Sequence, residues 1–314
     1  MKRWHCICAL MLCVCFLASA LSACNPKTSE SVQASDKSIY ASFFPLYALT
    51  EPLVKDVDDV RLNCLVQPQD GCLRAYQLSD WDLSLVATAD AVIAGGCGLE
   101  SYENILYALS ENGPVVDPVF YGMELTLMPG ANTQSDTDSH WLDANPHIYM
   151  SVSQAAAITE RIAEFLCVWD AEHEEVYRKN LENAKNHLDS LRNTLSGQLE
   201  EAEIPPVIIM NEALVYFVQD YDLDIAMCYE RESGEDFTGT ELEMCIAALK
   251  NSGGKYILLE KQAPQSLCKS LTNAGFVPVK MDVMSTRRAQ EGFEGYCKAM
   301  QENVQTLLEA LKTA

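Results

Sequence analysis

The sequence predicts an α/β fold of two Rossmann-like lobes joined by one long rigid helix, with a ligand cleft between the lobes. Short β-rich runs alternate with helical stretches over residues 38–109, the pattern of βαβ units around a parallel sheet. The same alternation restarts at residue 207 and continues to residue 281. Between the two, Leu181, Ala184, Leu188, Leu191, Leu195 and Leu199 recur at three- and four-residue spacing, the period of a helix with one apolar face.

Taken in order, Ser38 to Phe44 (SIYASFF) reads as a strand and Leu46 to Val54 as a helix. Val60 to Val66 reads as a strand, Asp80 to Ala87 as a helix, and Ala91 to Ala94 as a strand running into Gly95-Gly96-Cys97-Gly98. Leu99 to Leu109 is helical again. Ser153 to Trp169 forms a further helix, and Ala171 to Glu201 a longer one that Pro205-Pro206 stops. At ~1.5 Å per residue that helix spans ~46 Å, more than one small lobe needs. In the second half Val207 to Met210, Tyr256 to Leu259 and Val277 to Met281 read as strands. Ala213 to Asp220, Leu242 to Lys250, Pro264 to Ala274 and Phe293 to Leu311 read as helices. The expected domains are an N-terminal lobe over 38–170, a linker helix over 171–203 and a C-terminal lobe over 204–314. In such sheets ligands sit beyond the carboxyl ends of the strands.

The N-terminus carries Lys2 and Arg3 and then an uncharged apolar run over residues 6–20 (CICALMLCVCFLASA). That run is shorter than the ~20 apolar residues a membrane-spanning helix needs. A basic start, a short apolar core and small residues at the end read as a secretory signal over 1–23. Leu21-Ser22-Ala23-Cys24 resembles a bacterial lipobox, which implies cleavage before Cys24 and acylation of its thiol. Residues 24–37 are polar and Ser-rich, suited to a flexible tether. The expected location is therefore the outer face of the cell membrane (or its periplasmic side), held by the lipid alone.

The chain is 48% hydrophobic, enough to build a core, and strongly acidic, with 45 Asp and Glu against 22 Lys and Arg. An acidic surface repels phosphate backbones, so nucleic acid is excluded as the expected partner. Beyond the signal and Cys24, cysteines stand at 64, 72, 97, 167, 228, 245, 268 and 297, none spaced as C-x-x-C. Neither a zinc ribbon nor a thioredoxin-like motif is supported, and an exported chain leaves their disulfide pairing open.

Several stretches then resemble one family, the zinc and manganese solute-binding lipoproteins of bacterial ABC importers. Ile39-Tyr40-Ala41-Ser42-Phe43-Phe44-Pro45-Leu46-Tyr47 is similar to the family's opening strand. Ala89-Asp90-Ala91 with Gly98-Leu99-Glu100 is similar to its next strand and G-L-E segment. Asn145-Pro146-His147-Ile148-Tyr149-Met150-Ser151 and Asn211-Glu212-Ala213-Leu214-Val215-Tyr216-Phe217 resemble its second and third ligand segments. Tyr256 to Glu260 and Met281-Asp282 resemble the strands leading to the fourth. The resemblance implies a non-enzymatic monomer that holds Zn²⁺ or Mn²⁺ as cargo, with no organic cofactor. Its implied partners are an ABC permease and its ATPase.

The resemblance also implies four ligands, three His and one carboxylate or two of each, the donors that suit zinc or manganese. Carried over singly, the second His falls on His147 and the acidic ligand on Asp282. The first His falls on Arg74, in Arg74-Ala75-Tyr76-Gln77, and the third on Asn211. A guanidinium has no lone pair to offer. Two unit charges 4 Å apart at an effective dielectric of 20 repel by ~4 kcal/mol, and a dication roughly doubles that. Substitute donors stand nearby in sequence: Cys72, His140 and Glu212, a set better suited to zinc than to manganese. Cys72 has a plainer reading too, as a buried or disulfide-bonded thiol, and His140 as a solvated loop histidine. Glu260 is expected to cap or orient its neighbours.

Other patterns fail. Asp220, Asp222 and Asp224 imitate the start of a calcium loop, but Ile225 replaces the required glycine and Arg231 the closing Glu. His173-Glu174-Glu175-Val176-Tyr177 lacks the second histidine of a zinc-protease helix. His187 reads as a surface residue, and no Ser–His–Asp set appears. The expected function is delivery of a divalent metal, zinc ahead of manganese, to a permease. The alternative is a member of the same fold that no longer binds metal, its cleft closed by an Arg74–Asp282 salt bridge, serving as a scaffold, an adhesin or a binder of another ligand.

Overall fold

The computed structural model describes residues 36–68, 73–111, 113–126, 144–229, 237 and 239–313. Cys24, Cys72 and His140 lie outside the described residues, as do the expected signal and most of the tether.

The first lobe is a parallel sheet of β1 (Lys37–Ala41), β2 (Val60–Cys64), β3 (Ala91–Ala94) and β4 (Val115–Pro118), in the order β2-β1-β3-β4. The second repeats the arrangement with β5 (Val207–Ile209), β6 (Ile225–Cys228), β7 (Tyr256–Glu260) and β8 (Val277–Met281), in the order β6-β5-β7-β8. Inner strands β3, β5 and β7 are buried along their whole length, as expected where helices cover both faces of a sheet. In the second lobe Ile208, Ile257 and Leu259 face one apolar cluster, while Val207, Ile209, Tyr256 and Leu258 face the other. This is the two-residue alternation of a strand.

Two strands escape the sequence pattern. β4 (VVDP) and β6 (IAMC) are edge strands, their residues half-buried or exposed, and neither shows the polar–apolar alternation of a half-buried strand. Pro118 and Pro278 both sit on edge strands, the place in a sheet where a missing backbone N–H is tolerated.

The helices are α1 (Phe44–Thr50), α2 (Asp80–Ala87), α3 (Glu103–Ser110), α4 (Val152–Trp169), α5 (Glu174–Glu200), α6 (Leu214–Asp220), α7 (Gly239–Asn251), α8 (Gln265–Asn273) and α9 (Gly292–Thr313). The first strand ends at Ala41, not Phe44, because Pro45 supplies a pre-set φ in the first turn of α1. The long helix starts at Glu174, not Ala171. Asp170 leaves the helical region at φ −133°, and residues 171–173 form a separate 3₁₀ turn.

α5 ties the lobes together. Near its start Asn180 Nδ2 donates to the carbonyls of Leu53 (2.9 Å) and Lys55 (2.7 Å) in the first lobe. Farther along, Arg192 Nη2 donates to the Asp220 carbonyl (3.0 Å) in the second. α9 also touches both: Tyr296 Oη donates to the Tyr149 carbonyl (2.9 Å), and Asn303 brackets the backbone of Asp282. Among the described residues no helix is long and apolar enough to cross a membrane.

Candidate functional site

Each sheet has a point where connections leave in opposite directions, β1/β3 in the first and β5/β7 in the second. Crevices form outside the carboxyl ends of the strands at such points. In the first lobe the crevice is filled by Glu100, which is buried. Its Oε1 accepts from Ser42 Oγ (2.6 Å) and the Gly95 amide (2.7 Å), and its Oε2 from the Gly96 amide (2.9 Å). Burial pushes this carboxyl above its usual range, and the three donors pull it part of the way back. Gly96 has φ +77°, and a Cβ there would lie 2.9 Å from the Tyr121 ring, so only glycine presents its amide this way. Glu100 is a structural carboxylate.

In the second lobe Asn211 and Glu212 follow β5, Glu260 ends β7, and Asp282 follows β8. Asn211 Oδ1 accepts from the Ala213 amide (3.0 Å), turning the chain into α6, and its Nδ2 donates to Glu260 Oε2 (3.3 Å). Glu260 thus orients its neighbour, as the sequence suggested. Glu212 Oε1 lies 3.2 Å from Arg74 Nη1 and 3.6 Å from His147 Nδ1. Arg74 arrives from the first lobe on a single 3₁₀ turn, Leu73–Ala75, with its side chain 37% exposed.

His147 is held by Asn145. The Asn145 Oδ1 accepts from the His147 backbone amide (3.1 Å) and lies 2.9 Å from its Nδ1. Asn145 Nδ2 donates to the Glu212 carbonyl (2.8 Å), which fixes the orientation of the amide. Nδ1 must therefore carry the hydrogen, leaving the lone pair on Nε2, a tautomer assigned from these bonds. Metal-binding histidines are commonly oriented in this way by a partner on the other ring nitrogen. Burial, aided by the charge of Arg74, lowers the pKa of His147 to about 3. The ring is neutral, so its approach to Glu212 is not an ion pair.

Asp282 is engaged separately. Its Oδ1 accepts from the Met284 amide (2.7 Å), and its Oδ2 from Lys261 Nζ (2.7 Å) and Arg287 Nε (2.8 Å). Arg287 is buried and also donates to Glu291 (2.8 Å) and Glu302 (2.6 Å). The Arg74–Asp282 salt bridge of the alternative reading does not form. The carboxylate paired with Arg74 is Glu212, because Asp282 is taken up by two cations from its own lobe.

The fold thus brings Arg74, His147 and Glu212 into contact, with Asn211 and Glu260 beside them and Asp282 at a neighbouring strand end. The sequence missed the roles of Asn145, Lys261 and Arg287. Asn145 was within reach, since an Asn two residues before a histidine is spaced to bond its amide. Arg287 was not, because it reaches Asp282 through an irregular turn. No disulfide joins the described cysteines, and burial pushes the thiols of Cys64, Cys97 and Cys297 up to about 12. Thiols held protonated are poor metal donors. Among the described residues no group of three or more His, Cys, Asp and Glu is placed to hold a metal ion. The described cluster offers one imidazole lone pair, one carboxylate and a guanidinium between lobe and lobe.

Comparison with known proteins places this geometry in context. The zinc-binding lipoprotein AdcA of Streptococcus pneumoniae is 23% identical over 96% of this chain, and the chain spans 58% of AdcA's length. The high-affinity zinc uptake system protein ZnuA of Bacillus subtilis is 22% identical, over 99% of this chain and 98% of its own. Among solved structures, the solute-binding protein FpvC of Pseudomonas aeruginosa in complex with Mn²⁺ superposes with a TM-score of 0.75. It is 19% identical and covers 88% of this chain and 99% of its own, a likeness of fold. None of these three is named for adhesion or scaffolding. The family described as ZnuA, zinc-uptake complex component A, periplasmic, matches residues 39–310, nearly all of the two-lobed body, and the chain belongs to it.

Proposed function

We propose that this chain is the extracytoplasmic solute-binding lipoprotein of an ABC importer for a divalent metal, zinc ahead of manganese. It hands its cargo to a permease driven by an ATPase and catalyses no reaction itself. The observation that carries this reading is the family match across residues 39–310. The names of the zinc-binding relatives support zinc. His147 is the residue on which binding rests, a neutral imidazole whose orientation Asn145 fixes. Glu212, whose Oε1 lies 3.6 Å from Nδ1 of the same ring, is the nearby carboxylate, and Asp282 is the reserve donor once Lys261 moves aside. Cys24 carries the lipid.

Metal accumulation in cells tests the proposal directly. Deleting the gene should lower cellular zinc when zinc is limiting. Wild type should restore it, and His147→Ala should not. Unchanged zinc and manganese content in the deletion strain would overturn the transport reading.

A further inference from the structure

We propose that Tyr216 is a positioning residue for His147: its hydroxyl holds the Asn145 carbonyl, and Asn145 in turn holds the imidazole in the tautomer that leaves the lone pair on Nε2. This rests on the solute-binding reading above and names a residue that readies the site for its cargo.

Tyr216 lies in α6, the helix that leaves the Asn211-Glu212 turn, and it is buried. Its Oη donates to the Asn145 carbonyl (2.7 Å) and accepts from the Thr126 amide (2.8 Å). The Asn145 amide donates to the Thr126 carbonyl (2.7 Å), so these two segments are tied by one direct bond and by a second path through the hydroxyl. Burial raises the pKa of Tyr216 above its ordinary value, which keeps the hydroxyl protonated and able to donate. Set between one donor and one acceptor, the hydroxyl has a defined direction.

The next bonds lead to the ring. Asn145, held at its backbone, spans the Glu212 carbonyl and His147 with its side chain. Its Nδ2 donates to the former (2.8 Å), and its Oδ1 accepts from the His147 amide (3.1 Å) and from Nδ1 (2.9 Å). The same helix grips the far side of the histidine segment. Asp220, the last residue of α6, accepts at Oδ2 from the amide of Val152 (2.8 Å), where α4 begins. Residues 145–152 precede the long helix in sequence, yet α6 from beyond that helix holds them at both ends. A partner on the other ring nitrogen fixes the tautomer and direction of a metal-binding histidine. Asn145 is that partner, and Tyr216 acts one bond farther out.

Nitrogen NMR of the metal-free protein, labelled at its histidines, and zinc calorimetry test this together. The variants are Tyr216→Phe, Asn145→Ala, the double variant and Tyr221→Phe, and the His147 signals are identified by their loss in His147→Gln. Wild type should carry the His147 hydrogen on Nδ1 at neutral pH. Tyr216→Phe should give a mixture of both tautomers and lower zinc affinity by ~tenfold, the low end for loss of such an outer partner. Asn145→Ala should cost more, up to ~hundredfold, and Tyr216→Phe added to it should cost nothing further, because Tyr216 works through Asn145. Tyr221→Phe removes a buried hydroxyl just past α6 that makes no hydrogen bond among the described residues, and it should change neither readout. The inference is overturned if Tyr216→Phe leaves a single tautomer, whatever it does to urea unfolding, or if its loss of affinity adds to that of Asn145→Ala. If wild type binds no zinc, the solute-binding reading falls, and the tautomers still decide the role of Tyr216.

Discussion

Arg74 places its guanidinium 3.2 Å from the Glu212 carboxylate, joining a turn of the first lobe to the end of β5 in the second. Both side chains are reached by solvent, and such pairs contribute ~0–1 kcal/mol to stability. Arg74→Ala should therefore shift urea unfolding by less than ~1 kcal/mol while changing ligand binding clearly. A loss of several kcal/mol would mean that Arg74 serves the fold and not the site.

Much of this architecture is legible in the sequence because local signals agree. α2 falls on Asp80–Ala87, where Ser79 and Asp82 form a capping box, and β3 and β8 fall on their apolar runs. β4 and β6 were not legible, since VVDP and IAMC are four-residue segments without a two-residue alternation. The site was legible in its parts but not in its pairing. Glu212 and Asp282 both follow strands of one sheet, and nothing local says which of them meets Arg74. That is settled by Lys261 and Arg287, which neutralise Asp282 from within the second lobe.

His147 gives a pH signature. Its folded pKa is lowered to about 3, against an unfolded value near 6.5. Between those values the unfolded chain binds a proton that the folded chain does not, so stability rises with pH across this window and is lost as pH falls from about 6.5 toward 3. In the presence of a metal chelator, His147→Gln should flatten the dependence of stability on pH by up to ~1.4 kcal/mol per unit relative to wild type. Parallel curves for the two proteins would show that His147 titrates normally.

The N-terminal reading is tested at Cys24. Cys24→Ala should release the protein from the membrane fraction or leave it unprocessed at higher mass. Unchanged fractionation together with unchanged mass would remove the lipid anchor from the account.

Asp282 separates stability from binding through its two cations. Arg287 is 7% exposed and bonds Asp282, Glu291 and Glu302, so its removal leaves a buried carboxylate whose other cation among the described residues, Lys261, is half-exposed. Breaking a buried pair from one side costs ~3–5 kcal/mol, and Arg287→Met should lower stability by about that amount in urea unfolding. Lys261 is 39% exposed and can leave without stranding Asp282, because Arg287 and the Met284 amide remain. Lys261→Met should thus cost less than ~1 kcal/mol. Its effect on binding decides the role of Asp282. If that carboxylate reaches the metal, removing the competing ammonium strengthens zinc binding, and Asp282→Asn cancels the gain. If Lys261→Met leaves zinc affinity unchanged, Asp282 is a structural partner of Arg287, and the carboxylate that meets the cargo is Glu212.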